Sequence, residues 1–311
     1  MKGYHIYIPN YTIGTDCYKE IPWVTRKYGK KAVVIGGKTA MSKAKDALLD
    51  GIDGSDVEIT DFVWYGGEAS YENAEELMKM DAVKDADMIF AVGGGRVMDT
   101  CKVVKEKLDK PMFTFPTIGS NCAATTSKTP AEHIFINTKI IAESPENLFW
   151  AGIGDAISKE LEAQLSIRGH KVSHTPLMGN QLSLICIDPL IEYGKKAYED
   201  CKNNVDSFEL EQVVLDIIVT TGLVSNFMTT ENDYYYNSSL AHGFYNGTSV
   251  IPNCIQHHLH GEIVSFGSLV LLTYDKNYDE CDRIMAFHKE MGLPLTMHAT
   301  ESVCPVCKIS L

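Results

Sequence analysis

The sequence predicts an α/β N-terminal domain on a parallel, Rossmann-like sheet, followed by an all-α C-terminal domain, with residues 1–145 in the first and 146–311 in the second. Three observations predict it. Short apolar runs alternate with amphipathic segments through the first half, one of those runs ends in three consecutive glycines, and beyond about Pro145 the apolar spacing is helical. Strand and helix alternating at this interval means right-handed βαβ units on a parallel sheet.

The elements follow in order. Lys31-Ala-Val-Val-Ile-Gly-Gly37 reads as a buried strand closed by a glycine turn, with a helix from about Met41 to Leu49. Asp61 to Tyr65 is a second strand and Tyr71 to Lys84 a second helix. Ala86 to Val92 is a third strand running into Gly93-Gly94-Gly95, Val97 to Leu108 a third helix, and Pro111 to Phe115 a fourth strand. Residues 154–167, 175–200, 208–230, 238–250, 261–274 and 279–291 carry helical periodicity, interrupted at Pro252 and Pro294. The domain boundary falls near 143–150, after Thr138-Lys-Ile-Ile-Ala142.

Composition narrows the function classes. The 311 residues can bury two cores. Apolar residues at 45% and charged residues at 22% describe a globular chain. A net charge of −13 argues against nucleic acid or an anionic membrane as partner, because both require a cationic surface. No apolar run reaches membrane-spanning length, and Met1 to Asn10 lacks the apolar region of a secretory signal. Nine cysteines without a spaced framework fit a reducing cytoplasm. Cys304-Pro-Val-Cys307 has CxxC spacing, but a structural zinc site would need two further ligands, and none lie nearby.

The glycine run is the first motif with chemical content. A strand ending in glycines and opening a helix presents bare N–H groups at a helix N-terminus, which suits a pyrophosphate. An ordinary tight βα turn is the plain alternative, since the spacing is not GxGxxG. Gly36-Gly37 is a weaker version of the same signal. Thr117 and Ser120 follow the next strand, on the edge where open parallel sheets bind ligands. Arg96 could pair with a phosphate or face solvent.

Asp155, in Gly-Ile-Gly-Asp-Ala, reads as an acid at a helix start, where a lone Asp is ordinarily an N-cap. His242 and His260 lie 18 residues apart in helical segments on either side of Pro252. One Asp with two His is a ligand set suited to Zn²⁺ or Fe²⁺ that leaves positions open for substrate.

Taken together, GGGRVMDTCK, PTIGS, GIGDA, LAHGFYNG and HHLHGEIVSFG, in this order over about residues 30 to 295, resemble the glycerol dehydrogenase branch of the iron-containing alcohol dehydrogenase superfamily. The resemblance implies a metal-dependent oxidoreductase that interconverts a small alcohol or polyol and its carbonyl by hydride transfer. It implies Asp155, His242 and His260 as metal ligands and Gly37, Gly93, Gly94, Gly95, Val97, Asp99, Thr117, Ser120 and Thr126 as dinucleotide contacts. The implied cofactors are NAD, with NADP as the alternative, and Zn²⁺, with Fe²⁺ as the alternative. The implied partner is a small alcohol or polyol, in a homo-oligomer.

Several positions depart from the family pattern. Lys159 stands where long-chain iron enzymes carry a fourth ligand, which favours the three-ligand polyol branch. Cys122 replaces an Asp expected beside the substrate. Gly37-Lys38 replaces the acid that would select NAD by repelling a 2′-phosphate, and Tyr245 stands where a second His is common. Of His257, His258 and His260, only the last matches the family position. Residues 127–138 leave no room for an expected β-hairpin, and the chain is shorter than the family norm. Two rival readings are a dehydrogenase of a phosphorylated polyol such as glycerol 1-phosphate and a non-catalytic dinucleotide-binding relative. Arg and Lys are sparse around 220–260, which counts against the former.

Overall fold

A computed structural model describes residues 6–230, 233–251 and 257–296. Pro252 and the Cys304–Cys307 pair lie outside them. In the N-terminal half, β1 (Asn10–Ile13) and a 3₁₀ turn lead into α1 (Ile21–Thr25), β2 (Lys31–Gly36) and α2 (Lys38–Ile52). There follow β3 (Glu58–Trp64), α3 (Tyr71–Lys79), α4 (Asp81–Asp85), β4 (Met88–Gly93), α5 (Gly95–Leu108), β5 (Met112–Pro116) and β6 (His133–Ile136). The six strands form one parallel sheet in the order β1-β6-β5-β4-β2-β3. β2, β4 and β5 are apolar runs covered on both faces, as parallel sheets require. One face buries Val33, Ile35, Ile89 and Ala91 under α3 and α5, and the other buries Phe90, Phe113, Phe115 and Phe135 against Tyr18 and α2.

The remainder is mostly helical: α6 (Thr138–Ala142), α7 (Glu146–Ile167), α8 (His174–Ser183), α9 (Asp188–Lys202), α10 (Phe208–Leu215), a π turn over Asp216–Thr220, α11 (Thr221–Phe227), α12 (Leu240–Ser249), α13 (His260–Asp275) and α14 (Tyr278–Met291). Its core packs Ile153, Ile157, Leu190, Val213, Val264 and Ile284 around α7.

The structure corrects several expectations. This half is not wholly helical, because β7 (Thr229–Thr230) and β8 (Tyr234–Tyr235) form a short antiparallel ribbon. The helix expected over 71–84 breaks at Met80, whose backbone is extended. That over 175–200 divides after Ser183, because Pro189 in the first turn of α9 cannot continue a helix. β1 and β6 were not expected. Each is four residues long, too short for a periodicity signal, and β1 is half-exposed at the sheet edge.

The correction that matters most for the site concerns α7. It starts at Glu146, so Asp155 sits in mid-helix and is not an N-cap. Gly152 and Gly154, costly in mid-helix on propensity alone, serve close approach here. A Cβ on Gly152 would strike the Gly119 carbonyl in the loop after β5, and one on Gly154 would meet the Gly261 carbonyl of α13. Gly261 faces the Ala151 carbonyl in the same way. Three glycines therefore let α7 touch both neighbours backbone to backbone. Gly261→Ala is expected to cost roughly 3 kcal/mol, read as a lower urea midpoint, and an unchanged midpoint would remove this role from the glycine.

Two buried histidines give the fold a pH dependence. His133 shares a 2.8 Å hydrogen bond with Thr12 Oγ1, and the fully buried His288 bonds the Pro294 carbonyl through Nδ1 at 2.9 Å. Burial brings both down to about 4. The unfolded imidazoles protonate near 6.5, so between about pH 6.5 and 4 the unfolded chain binds more protons. Stability should therefore fall as pH drops through that window, by up to about 1.4 kcal/mol per unit for each histidine, and His133→Gln should shallow the slope. Urea titrations at pH 7 and 5 give the check; a slope unaltered by the substitution contradicts the assignment.

Candidate functional site

The sheet's carboxyl edge creates the first half of the site. From β2 the chain steps outward to β3, then returns past β2 to β4 and continues the other way to β5 and β6, which opens a crevice between β2 and β4. The register Gly36↔Val92 and Gly93↔Pro116 brings the three strand ends to one level. Gly93 has φ +151°, a region L-residues rarely adopt, and a Cβ there would press on Val97. Gly37 and Gly94 are the N-caps of α2 and α5, and neither helix has a side-chain cap. Two helix N-termini thus present uncapped N–H groups to the same crevice, the setting that attracts an anion.

A cavity of about 1080 Å³ lies over this edge. Gly37, Gly93, Gly94, Gly95, Val97, Thr117 and Ser120, all anticipated contacts, line it. Arg96 also lines it and lies 3.3 Å from the Glu68 carboxylate. Asp99 and Thr126 do not. Asp99 is exposed on α5 and pairs with Lys102 at 2.8 Å, while Thr126 turns its hydroxyl to Cys122 Sγ at 3.1 Å. Cys122 is half-buried beneath that hydroxyl and is likewise not part of the lining. Lys38, noted in the sequence after Gly37, lines the β2 side together with Lys43 and Trp64, which sequence reasoning did not single out; the Lys38 ammonium lies 4.6 Å from the Trp64 ring centre.

The second half of the site comes from the helices. Asp155 of α7, His242 of α12 and His260 at the start of α13 each offer a ligand atom, all within 4.8 Å of one another. Asp155 Oδ1 is 3.1 Å from His260 Nε2 and 3.7 Å from His242 Nε2. Although buried, it accepts no well-aligned hydrogen bond among the described residues. An orphaned carboxylate oxygen faced by two imidazole nitrogens is the donor set of a divalent cation with borderline preferences, so the residues fit a metal. Burial opposes ionisation of Asp155, but the contact with His260 and the nearby His242 and Lys159 outweigh it and hold the carboxyl below its usual range.

Around the triad, Lys159, Tyr245, His257 and His258 stood out in the sequence, whereas Glu162 and Asn237 did not. Glu162 lies two turns beyond Asp155 on α7, and its Oε2 meets His242 Nδ1 at 2.6 Å. Burial works against charge on both partners, and their contact prevails: Glu162 is held low and His242 is raised. The only available signal was the seven-residue spacing, which puts both acids on one helix face. Lys159, one turn after Asp155, is buried and gives its ammonium to Asn237 Oδ1 at 2.7 Å. Tyr245 sets its ring edge-on to His260, with centroids 4.2 Å apart. His258 is taken up by Glu262 at 3.1 Å and His257 is exposed, so of the three neighbouring histidines only His260 joins the triad.

The two halves meet. His260 and Gly261 line the same cavity as the triple-glycine turn, and the loop carrying Gly119 and Ser120 packs on α7 at Gly152, one turn before Asp155.

Residues 9–140 match the family model described as iron-containing alcohol dehydrogenase. The chain is 27% identical over 299 residues to glycerol dehydrogenase 1 of Schizosaccharomyces pombe, covering 88% of this chain and 63% of that protein. It is 29% identical over 255 residues to the glycerol dehydrogenase of Thermotoga maritima, covering 75% of this chain and 67% of the other. With that of Escherichia coli it shares 26% over 314 residues, covering 92% and 82%. The chain thus spans just under two thirds of the yeast protein's length. The crystal structure of the S. pombe enzyme superposes with a TM-score of 0.86 at 24% identity, covering 100% of this chain and 81% of that one, which establishes the shared fold.

Proposed function

We propose that this chain, similar to the iron-containing alcohol dehydrogenases over residues 9–140 and to curated glycerol dehydrogenases over most of its length, belongs with the glycerol dehydrogenase branch and interconverts a small alcohol or polyol and its carbonyl by hydride exchange with a nicotinamide dinucleotide. The observation that carries the reading is the opening of the Asp155–His242–His260 cluster, through His260, onto the cavity lined by the triple-glycine turn. The proposed division of labour falls at residue 145, with the dinucleotide held before it and metal and substrate held largely after it.

A divalent cation supplies Lewis acidity towards a substrate oxygen, and the nicotinamide supplies or accepts the hydride. Asp155, His242 and His260 would hold the cation, zinc or iron. Gly93 to Gly95 and the bare ends of α2 and α5 would receive the pyrophosphate. The loop through Thr117 and Ser120 abuts α7 close to Asp155, so those hydroxyls fit the nicotinamide side. The adenosine side then falls to Gly37, Lys38 and Trp64. Cys122 stays beside this region, held by Thr126. A phosphorylated substrate is disfavoured because no Lys or Arg occurs between residues 221 and 260.

Glycerol, propanediols and dihydroxyacetone should change nicotinamide absorbance in the presence of Zn²⁺ or Fe²⁺, and dihydroxyacetone phosphate should do so less well. His260 is 40% exposed in its side chain, so His260→Ala should abolish metal-dependent turnover while shifting stability by no more than about 0.5 kcal/mol. Full activity in that variant, with the cation retained, would end the assignment.

Cofactor choice belongs to the same proposal. No carboxylate occupies the turn Gly36-Gly37-Lys38-Thr39, and Lys38, Lys43 and Arg96 surround the cavity there. That environment accepts a ribose 2′-phosphate as well as a hydroxyl. Lys38→Glu should lower the NADP-to-NAD ratio of kcat/KM by roughly tenfold or more. A ratio identical to that of the unsubstituted protein would show that Lys38 does not read the 2′ position.

A further inference from the structure

Glu162 takes no part in the chemistry outlined above, yet it is engaged more completely than any member of the triad. We propose that Glu162 is a positioning residue for the metal cluster, fixing His242 in the tautomer that presents Nε2 and strengthening that nitrogen as a ligand. The proposal rests on the metal reading given under Proposed function.

The geometry is specific. Asp155 and Glu162 project from one face of α7, two turns apart. The Glu162 side chain is fully buried. Its Oε1 accepts the backbone N–H groups of Ser239 and His242, both at 2.8 Å, and its Oε2 meets His242 Nδ1 at 2.6 Å. A carboxylate only accepts, so Nδ1 carries the proton and Nε2 is left bare, facing Asp155 and His260. The hydroxyl of Ser239, at the N-cap of α12, caps nothing, so the cap of that helix is provided from α7. One carboxylate thus holds both the backbone and the ring of His242 in a fixed relation to Asp155.

The charge itself is informative. A buried carboxylate is costly unless each oxygen is hydrogen-bonded, and a glutamine would fill the same space without that cost. What an amide lacks is the negative charge, which raises imidazole basicity and balances a dication alongside Asp155. Carboxylate–histidine pairs behind metal ligands act in this way.

The experiment titrates the metal-free protein with Zn²⁺ against a chromophoric chelator and records the visible bands of the Co²⁺ form, for the unsubstituted chain, Glu162→Gln and Glu162→Asp. Thermal unfolding of the metal-free forms is followed in parallel. E162Q should bind Zn²⁺ more weakly by on the order of 10- to 100-fold, with shifted Co²⁺ bands. E162D retains the charge and should lose less. A purely packing role predicts the reverse order, because the amide is nearly isosteric whereas aspartate leaves a gap of one methylene. Zn²⁺ affinity and Co²⁺ bands in E162Q equal to those of the unsubstituted chain would overturn the proposal, as would the reversed order. Should E162Q fail to fold, a loss of 10-fold or more in E162D with its charge intact would count against it. If the unsubstituted chain binds no divalent cation, or binds it equally after Asp155→Asn, the metal reading itself fails, and the role of Glu162 falls with it.

Discussion

The site depends on how closely α7 approaches its two neighbours. Backbone meets backbone at Gly152 against the loop after β5 and at Gly154 and Gly261 against α13. These contacts set the distance between a sheet edge where two uncapped helix N-termini open and a helix face that carries Asp155. A methyl group at any of them would push the helix outward and separate the two halves of the cavity. Glycine in mid-helix ordinarily costs about 1 kcal/mol relative to alanine, and here that cost is offset by burial along the rest of α7, from Phe149 to Ala163.

Around that axis the polar groups are arranged by partial satisfaction. Glu162 has both oxygens engaged, Lys159 is held by Asn237, and His258 is held by Glu262. Asp155 Oδ1 is the exception, buried and without an aligned donor. Supporting side chains whose charged groups are already paired, with an open acceptor where two imidazoles converge, form a rigid and pre-shaped setting, since they need not move to admit a ligand. Exposure rises from Asp155 through His242 to His260, so the cluster is open on the side of the cavity.

Much of this was legible in the sequence, for reasons that differ between elements. β2, β4 and β5 were plain because strands covered on both faces must be continuous apolar runs, and the glycine turn because three successive glycines have few structural uses. His242, His260 and Asp155 could be singled out as residue types, but nothing in their spacing shows that they meet; the meeting depends on α7, α12 and α13 packing together. The position of Asp155 was misread because Gly152 and Gly154 are costly in mid-helix on propensity alone, when their neighbours are unknown. β1 and β6 escaped because four residues carry no period, and Glu162 because an acid on a helix is usually solvated. Its meaning comes only from the chain segment 77 residues further on that it holds.

The bare ends of α2 and α5 have a consequence of their own. Neither helix supplies a side chain to finish its first turn, so the protein leaves two positive poles side by side at the lip of the crevice. On the proposed reading, the pyrophosphate of a dinucleotide seated there would be held in common by two helices that follow β2 and β4, the strands on either side of the chain's change of direction.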